Sequence, residues 1–334
     1  MLLVIFGAGA SYDSVPHLPP TGSPLERRYP YELDRLPLAN ELFENREHFV
    51  EAMVRFAHCM AIVPFLRKAG VSVEEELAKL QLQAKTFPHA HRELAAIRYY
   101  LHFALWECQK RWFERHRGIT NYATFLREVE RWRFDGNQQV CFVTFNYDTM
   151  LEQAMEQVLG CKFDDFPTYV SQETHLLVKL HGSINWGWEV NTLPKPKNPT
   201  EVIDAAADLK LSEQYRRVSH HPMIFDDGSV GFPALAIPVQ SKDEFACPSE
   251  HLQALAKVLP SVTKIITVGW RASEDKFLRM LTAKLTGLTG KVDLMVVSGS
   301  KKGAEETYAN LDPSRDLFFV VLLPKAVLQV SYRT

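Results

Sequence analysis

The chain has no Cys-x-x-Cys pair. Its five cysteines (Cys59, Cys108, Cys141, Cys161 and Cys247) are scattered through 334 residues, a spacing that excludes a zinc ribbon and a disulfide framework. Histidine and carboxylate clusters at structural-metal spacing are missing too. The close pair "HAH" at 89 to 91 would sit on different faces of a helix, and no metal is expected. No apolar run approaches the length of a membrane span. The amino terminus passes into an apolar stretch without the basic flank and small-residue cleavage pattern of a secretory signal. A cytoplasmic chain that does not touch a membrane is the expectation. A dominant charge is absent as well. The formal net charge of -2 supplies no field to attract nucleic acid, and "KRWFERHRG" at 110 to 118 reads as a solvated helix end. Repeats and low-complexity tracts are also absent.

What is present is an ordinary globular composition, 46% hydrophobic and 23% charged, enough for one large core or two modest ones. From about Leu36 to Trp132 there is hardly a strand candidate. "LANELFENREHFVEAMVRFAH", "VEEELAKLQLQA" and "HRELAAIRYYLHFALWECQKRWFERHR" carry helical periodicity there. In the third, Leu94, Ile97, Leu101, Leu105, Cys108 and Trp112 form one apolar face, with Pro88 before it and Gly118 after it as start and stop residues.

Strand-like runs lie on either side of this stretch: Leu2 to Phe6, then "QQVCFVTF", "HLLVKL", "PALAIP", "KIITVG", "KVDLMVVSG" and "DLFFVVLL". Helical patterns such as "TMLEQAMEQVL", "SEHLQALAKVL", "SEDKFLRMLTAKL" and "KGAEETYANL" separate most of them. The alternation predicts βαβ units and a mainly parallel sheet. Residues 188 to 232, rich in Pro, Lys, Asp and His, read as an irregular insertion or lid with at most short helices.

The first strand breaks into "GAGASYDS" at its seventh residue. Gly7 and Gly9 fit the first two positions of G-x-G-x-x-G, but the third is Tyr12 and no helix pattern follows directly, which disfavours a dehydrogenase. Two further strand ends are polar. "CFVTFNYD" ends in Asn146, Tyr147 and Asp148, and "LLVKLHGSIN" brings His181, Gly182, Ser183 and Asn185. Each has a structural reading: Asp148 as the cap of a helix beginning at Thr149, Asn146 as a turn residue, His181 as a hydrogen-bonded turn histidine. Together, an amide, a carboxylate and an imidazole at neighbouring strand ends are a set able to orient a sugar and activate a hydroxyl.

"GAGASYDS", "TFNYD", "KLHGSINW" and "ITVGWRASEDKF" together resemble the sirtuin-related family of bacterial NAD-hydrolysing antiphage defence effectors, distant relatives of the sirtuin deacylases. The resemblance implies a Rossmann-like, sirtuin-like α/β fold. Residues 1 to 35 and 133 to 334 would form the NAD-binding domain, and 36 to 132 a helical insertion after the first strand. It implies that Gly7, Ala8, Gly9, Ala10 and Ser11 surround the pyrophosphate and adjacent ribose of NAD. Asn146 would hold the nicotinamide ribose, Asp148 would meet the carboxamide, and His181 would be the catalytic histidine. Gly269 and Trp270 would lie against the adenosine ribose, in a Gly-Trp-Arg segment where sirtuin-like proteins have Gly-Thr-Ser or Gly-Tyr-Ser.

Chemically, loss of neutral nicotinamide leaves an oxocarbenium-like ribosyl centre, so such a site must hold the ring and present water to one face. The expected reaction is NAD hydrolysis to nicotinamide and ADP-ribose or cyclic ADP-ribose. The alternatives are a deacylase or ADP-ribosyltransferase, and a non-catalytic NAD or ADP-ribose-binding subunit. An NAD-draining enzyme must be restrained, so control by homo-oligomerisation or by a partner protein such as an ATPase or sensor is expected.

Overall fold

The computed structural model describes residues 1–16, 20, 30–67, 70, 72–192, 194–218, 221–238, 245–285, 292–312 and 318–324. The strand β1 (Leu2–Phe6) is buried along its whole length, as a strand covered on both faces must be. It leads into a single helical turn, α1 (Ala8–Tyr12), where the sequence suggests only loop. Five small residues are too few to show a period. The later part of that loop, residues 17–19 and 21–24, lies outside the described residues.

Helices then follow one another: α2 (Glu47–Arg55), α3 (Val63–Leu66), α4 (Val73–Ala84), α5 (Pro88–His116) and α6 (Asn121–Gly136). The single helix expected over 38 to 58 is broken, because Arg46 is buried at its centre. Its guanidinium donates to Glu41 at 3.0 Å, Glu44 at 2.9 Å and the carbonyls of Leu33 and Arg35, and a buried cation needs those acceptors. All six residues of the α5 stripe are buried. The helix stops at Arg117 and Gly118, both left-handed, the usual C-terminal arrangement.

The remaining elements are β2 (Val140–Thr144), α7 (Met150–Leu159), β3 (His175–Lys179), β4 (Gly182–Val190), α8 (Pro199–Asp204), β5 (Leu211–Arg217), β6 (Gly231–Leu235), α9 (Ser249–Val258), β7 (Lys264–Val268), α10 (Asp275–Leu285), β8 (Val292–Ser298), α11 (Lys301–Leu311) and β9 (Phe318–Pro324). Six strands form one wholly parallel sheet in the order β3-β2-β1-β7-β8-β9. Counting the sheet's own strands along the chain, that is 3-2-1-4-5-6, the doubly wound Rossmann order, with its topological switch between β1 and β7. The mainly parallel α/β sheet expected from the alternation of elements is present.

The region read as irregular differs from expectation. Strands β4, β5 and β6 make a second, antiparallel sheet in the order β5-β4-β6. The strand β5 is an exposed edge with little alternation, "LSEQYRR", which hides it in the sequence. Trp188 packs on both Tyr215 and Phe232, at ring-centroid distances of 5.4 and 6.4 Å, and these cross-strand pairs hold the sheet together. Helix α5 packs against α2 and α4 on one side and against β4, β6 and α8 on another.

Candidate active site

Four loops meet at the carboxyl edge of the parallel sheet. The turn after β1 lies directly on the turn after β7: Gly7 N donates to the Val268 carbonyl and Gly9 N to the Gly269 carbonyl, each at 3.0 Å. A Cβ on Gly7 would lie 2.6 Å from the Gly269 oxygen. These glycines are therefore required first by backbone packing between the two turns. Gly269 itself is left-handed, at φ 60°.

The turn after β2 joins them through Asn146. Its Nδ2 donates to the Gly7 carbonyl at 3.0 Å, and also lies 3.0 Å from Ser11 Oγ and 3.1 Å from the Tyr122 hydroxyl. The carbonyl can only accept, so it fixes which end of the amide faces the glycine turn. Ser11 Oγ and Tyr122 Oη are 2.8 Å apart, which closes a small buried network. Asn146 is 7% exposed, and its Oδ1 is buried with no hydrogen-bond partner among the described residues. A buried acceptor left open in this way is costly unless a ligand or water completes it; a ligand hydroxyl would satisfy it.

His181 follows β3 and is 2% exposed. Its ring lies 4.8 Å from that of Phe145, which also stacks on Trp270 at 5.3 Å. Phe145 thus connects the turns after β3 and β7. The main chain of His181 is clamped by β6: its carbonyl accepts from Ala236 N at 2.9 Å, and the neighbouring Gly182, at φ 82°, runs so close to the Ala234 carbonyl that no Cβ fits.

The other expected residues fall as follows. Asp148 Oδ1 accepts from Met150 N at 3.0 Å, the local capping role at the start of α7. Ala8 is exposed, Gly9 is half-buried and Ala10 is buried. Trp270 is packed, its Nε1 donating to Glu274 at 2.5 Å and its carbonyl accepting from Thr307 at 2.9 Å, so its side chain is committed to the core.

Sequence reasoning missed three participants. Tyr122 reaches the site from α6, and burial holds its phenol well above the usual range. Lys179, fully buried at the end of β3, donates to the Asp148 carbonyl and lies 2.8 Å from Glu152. Burial raises the Glu152 carboxyl, and the Lys179 charge opposes that rise. Gln109 of α5 grips Thr149 twice: Nε2 donates to the Thr149 hydroxyl and Oε1 accepts from its N–H, both at 2.7 Å. A Lys two residues before His181 was a visible signal. Tyr122 and Gln109 carried none, because only the packing of α5 and α6 brings them in.

Among the described residues no group of three or more histidine, cysteine or acidic side chains is placed to hold a metal ion, and no helix is long and apolar enough to cross a membrane. No family model matches the chain, and no curated protein matches it. Among solved structures it is similar to one titled "The Structural basis of Sirtuin Substrate Affinity", at 13% identity and a TM-score of 0.32, over 90% of this chain and 83% of the other.

Proposed function

We propose that the chain is an NAD glycohydrolase, cleaving the bond between nicotinamide and ribose. The observation that carries this reading is the Asn146 amide, pinned by the glycine turn and by Ser11 and Tyr122, with its Oδ1 buried and open. It stands where ligands of doubly wound sheets bind, at the carboxyl edge beside the switch point. In this reading Gly7 to Ser11 meet the pyrophosphate and adjacent ribose. Gly9 then exchanges the Gly269 carbonyl for a ligand oxygen, and Gly269 and Trp270 offer backbone to the adenosine ribose.

Asn146 Oδ1 accepts from a hydroxyl of the nicotinamide ribose and fixes the ring. The second carboxylate oxygen of Asp148 takes the carboxamide. Nicotinamide leaves neutral with the electron pair of the glycosidic bond. Water adds to the ribosyl carbon, and His181 accepts its proton and releases it to solvent, giving ADP-ribose. A ribose or adenine nucleophile in place of water gives the cyclic product.

The deacylase alternative needs an acyl-lysine channel bordered by a zinc ribbon. Here all five cysteines are buried and free of disulfides, and none stands in a Cys-x-x-Cys pair, which favours hydrolysis. The role in antiphage defence, in a cytoplasmic setting and under control of self-assembly or a partner ATPase or sensor, rests on the motif resemblance alone. So does the division into an NAD-binding domain and an inserted helical module over 36 to 132.

The test is incubation of the purified chain with NAD, with and without an acetyl-lysine peptide, followed by chromatography of the products. Nicotinamide and ADP-ribose or its cyclic form, released without peptide, are expected. Strict dependence on the peptide would make the chain a deacylase. Binding of NAD without turnover, alone and with its genomic neighbours, would make it a binding subunit.

A further inference from the structure

A cavity of about 470 Å3 opens beside the candidate active site, between α5, α7 and the small antiparallel sheet. Helix α5 presents Trp106 and Lys110 to it, one turn apart on the same face. The start of α7 contributes Thr149 and Gln153, and the sheet contributes Asn185 from β4 and Arg217 from β5. The volume suits a mononucleotide-sized ligand.

The lining is chemically specific. Two cations, Lys110 and Arg217, stand on different elements, against a single lining carboxylate, Glu114. Lys110 has no ion-pair partner among the described residues, and Arg217 donates to the Phe163 carbonyl while its charge opposes the burial-driven rise of the Glu156 carboxyl. A pair of cations facing one space calls for an anion that accepts from both. Gln153 Oε1 is buried with no hydrogen-bond partner among the described residues, so the cavity holds an open amide end that wants a donor. Trp106 adds an aromatic face for a flat ring.

We propose that this cavity binds a nucleoside monophosphate, its heterocycle against Trp106, its polar edge read by Asn185 and Gln153, and its phosphate between Lys110 and Arg217. The cavity adjoins the catalytic candidates through the double Gln109–Thr149 grip, because Thr149 follows Asp148 directly. Occupancy therefore bears on the start of α7. The proposal does not rest on NAD hydrolysis, since binding is measured without turnover.

The experiment is isothermal titration of the full chain with AMP as the probe. Saturable binding of one AMP per chain, with Kd below about 1 mM, is expected. Lys110→Glu and Trp106→Leu should each weaken it about tenfold or more. Both side chains are at least partly exposed, and circular dichroism verifies that the variants fold. No saturable heat up to about 10 mM AMP overturns the proposal. So does full-affinity AMP binding in both Lys110→Glu and Trp106→Leu, which would move the nucleotide to the glycine turn.

Discussion

The side-chain amide of Asn146 donates to the carbonyl of Gly7 at 3.0 Å, tying the end of β2 to the glycine turn of β1 across two adjacent parallel strands. One hydrogen bond thereby joins two motifs separated by 139 positions in the chain and leaves Oδ1 as the open end of the amide. Replacing Asn146 by Ala removes both the tie and the acceptor. NAD cleavage should fall by about a hundredfold or more in Asn146→Ala and in His181→Ala, with circular dichroism unchanged. Near-normal turnover in either folded variant would move the chemistry elsewhere.

The contact between the glycine turns is tested at Gly269. Alanine there must adopt a left-handed backbone and press its Cβ on the Gly9–Ala10 main chain. Gly269→Ala should cost at least about 2 kcal/mol in urea unfolding and lower NAD affinity along with it. Ala8→Ser, at an exposed position, should leave stability within about 0.5 kcal/mol of wild type.

Lys179 and Glu152 are expected to behave as one unit. Lys179→Met leaves the Glu152 carboxylate buried alone and should cost about 3 to 5 kcal/mol. The double variant Lys179→Met/Glu152→Leu should regain most of that loss, because neither charge is then stranded. A double-mutant cycle by chemical denaturation reads the coupling. Additive losses would show that the pair is not energetically linked.

Stability should fall with acidification, and His102 is a principal cause. Its imidazole is fully buried, and neither ring nitrogen makes a hydrogen bond of ordinary geometry. Burial, only weakly opposed by the Ile184 backbone, pushes it down to about 3. His221, 4.6 Å away, is pushed down to about 2 by burial and by the neighbouring His102, Arg55 and Lys110 charges. The unfolded chain takes up these protons below about pH 6.5, while the folded chain refuses them until near pH 3. The unfolded state thus binds more protons across that window, and stability drops as pH falls through it. At pH 5 the deficit from His102 is roughly 2 kcal/mol relative to pH 7.5. Thermal unfolding of His102→Phe should show a flatter pH dependence than wild type; equal slopes would refute the assignment.

Chelation is the remaining check. Dialysis against EDTA should leave NAD cleavage unchanged, and loss of activity restored by zinc would overturn the metal-free reading.

The sequence by itself determined which segments become strands and helices of the main layer. Runs such as "LLVIF" and "CFVT" have no polar face to give to solvent, and the α5 stripe repeats at the helical period over about five turns. It also marked the polar strand ends, since Asn146, Asp148 and His181 stand where apolar runs stop. It did not reveal the antiparallel sheet: β5 is a polar edge strand held through Tyr215 on Trp188, and a contact across strands leaves no local period. Nor did it show that Arg46 would interrupt a helix to collect the Leu33 and Arg35 carbonyls. Only the tertiary structure decided that Gly7 would face Gly269, that Phe145 would pack on both His181 and Trp270, and that Tyr122 and Gln109 would arrive from the helices. Parallel strands are joined by crossovers of a dozen or more residues whose length does not fix which strands become neighbours, so strand order is settled by how the whole core packs, and the residues sharing the site are chosen by that order rather than by any spacing along the chain.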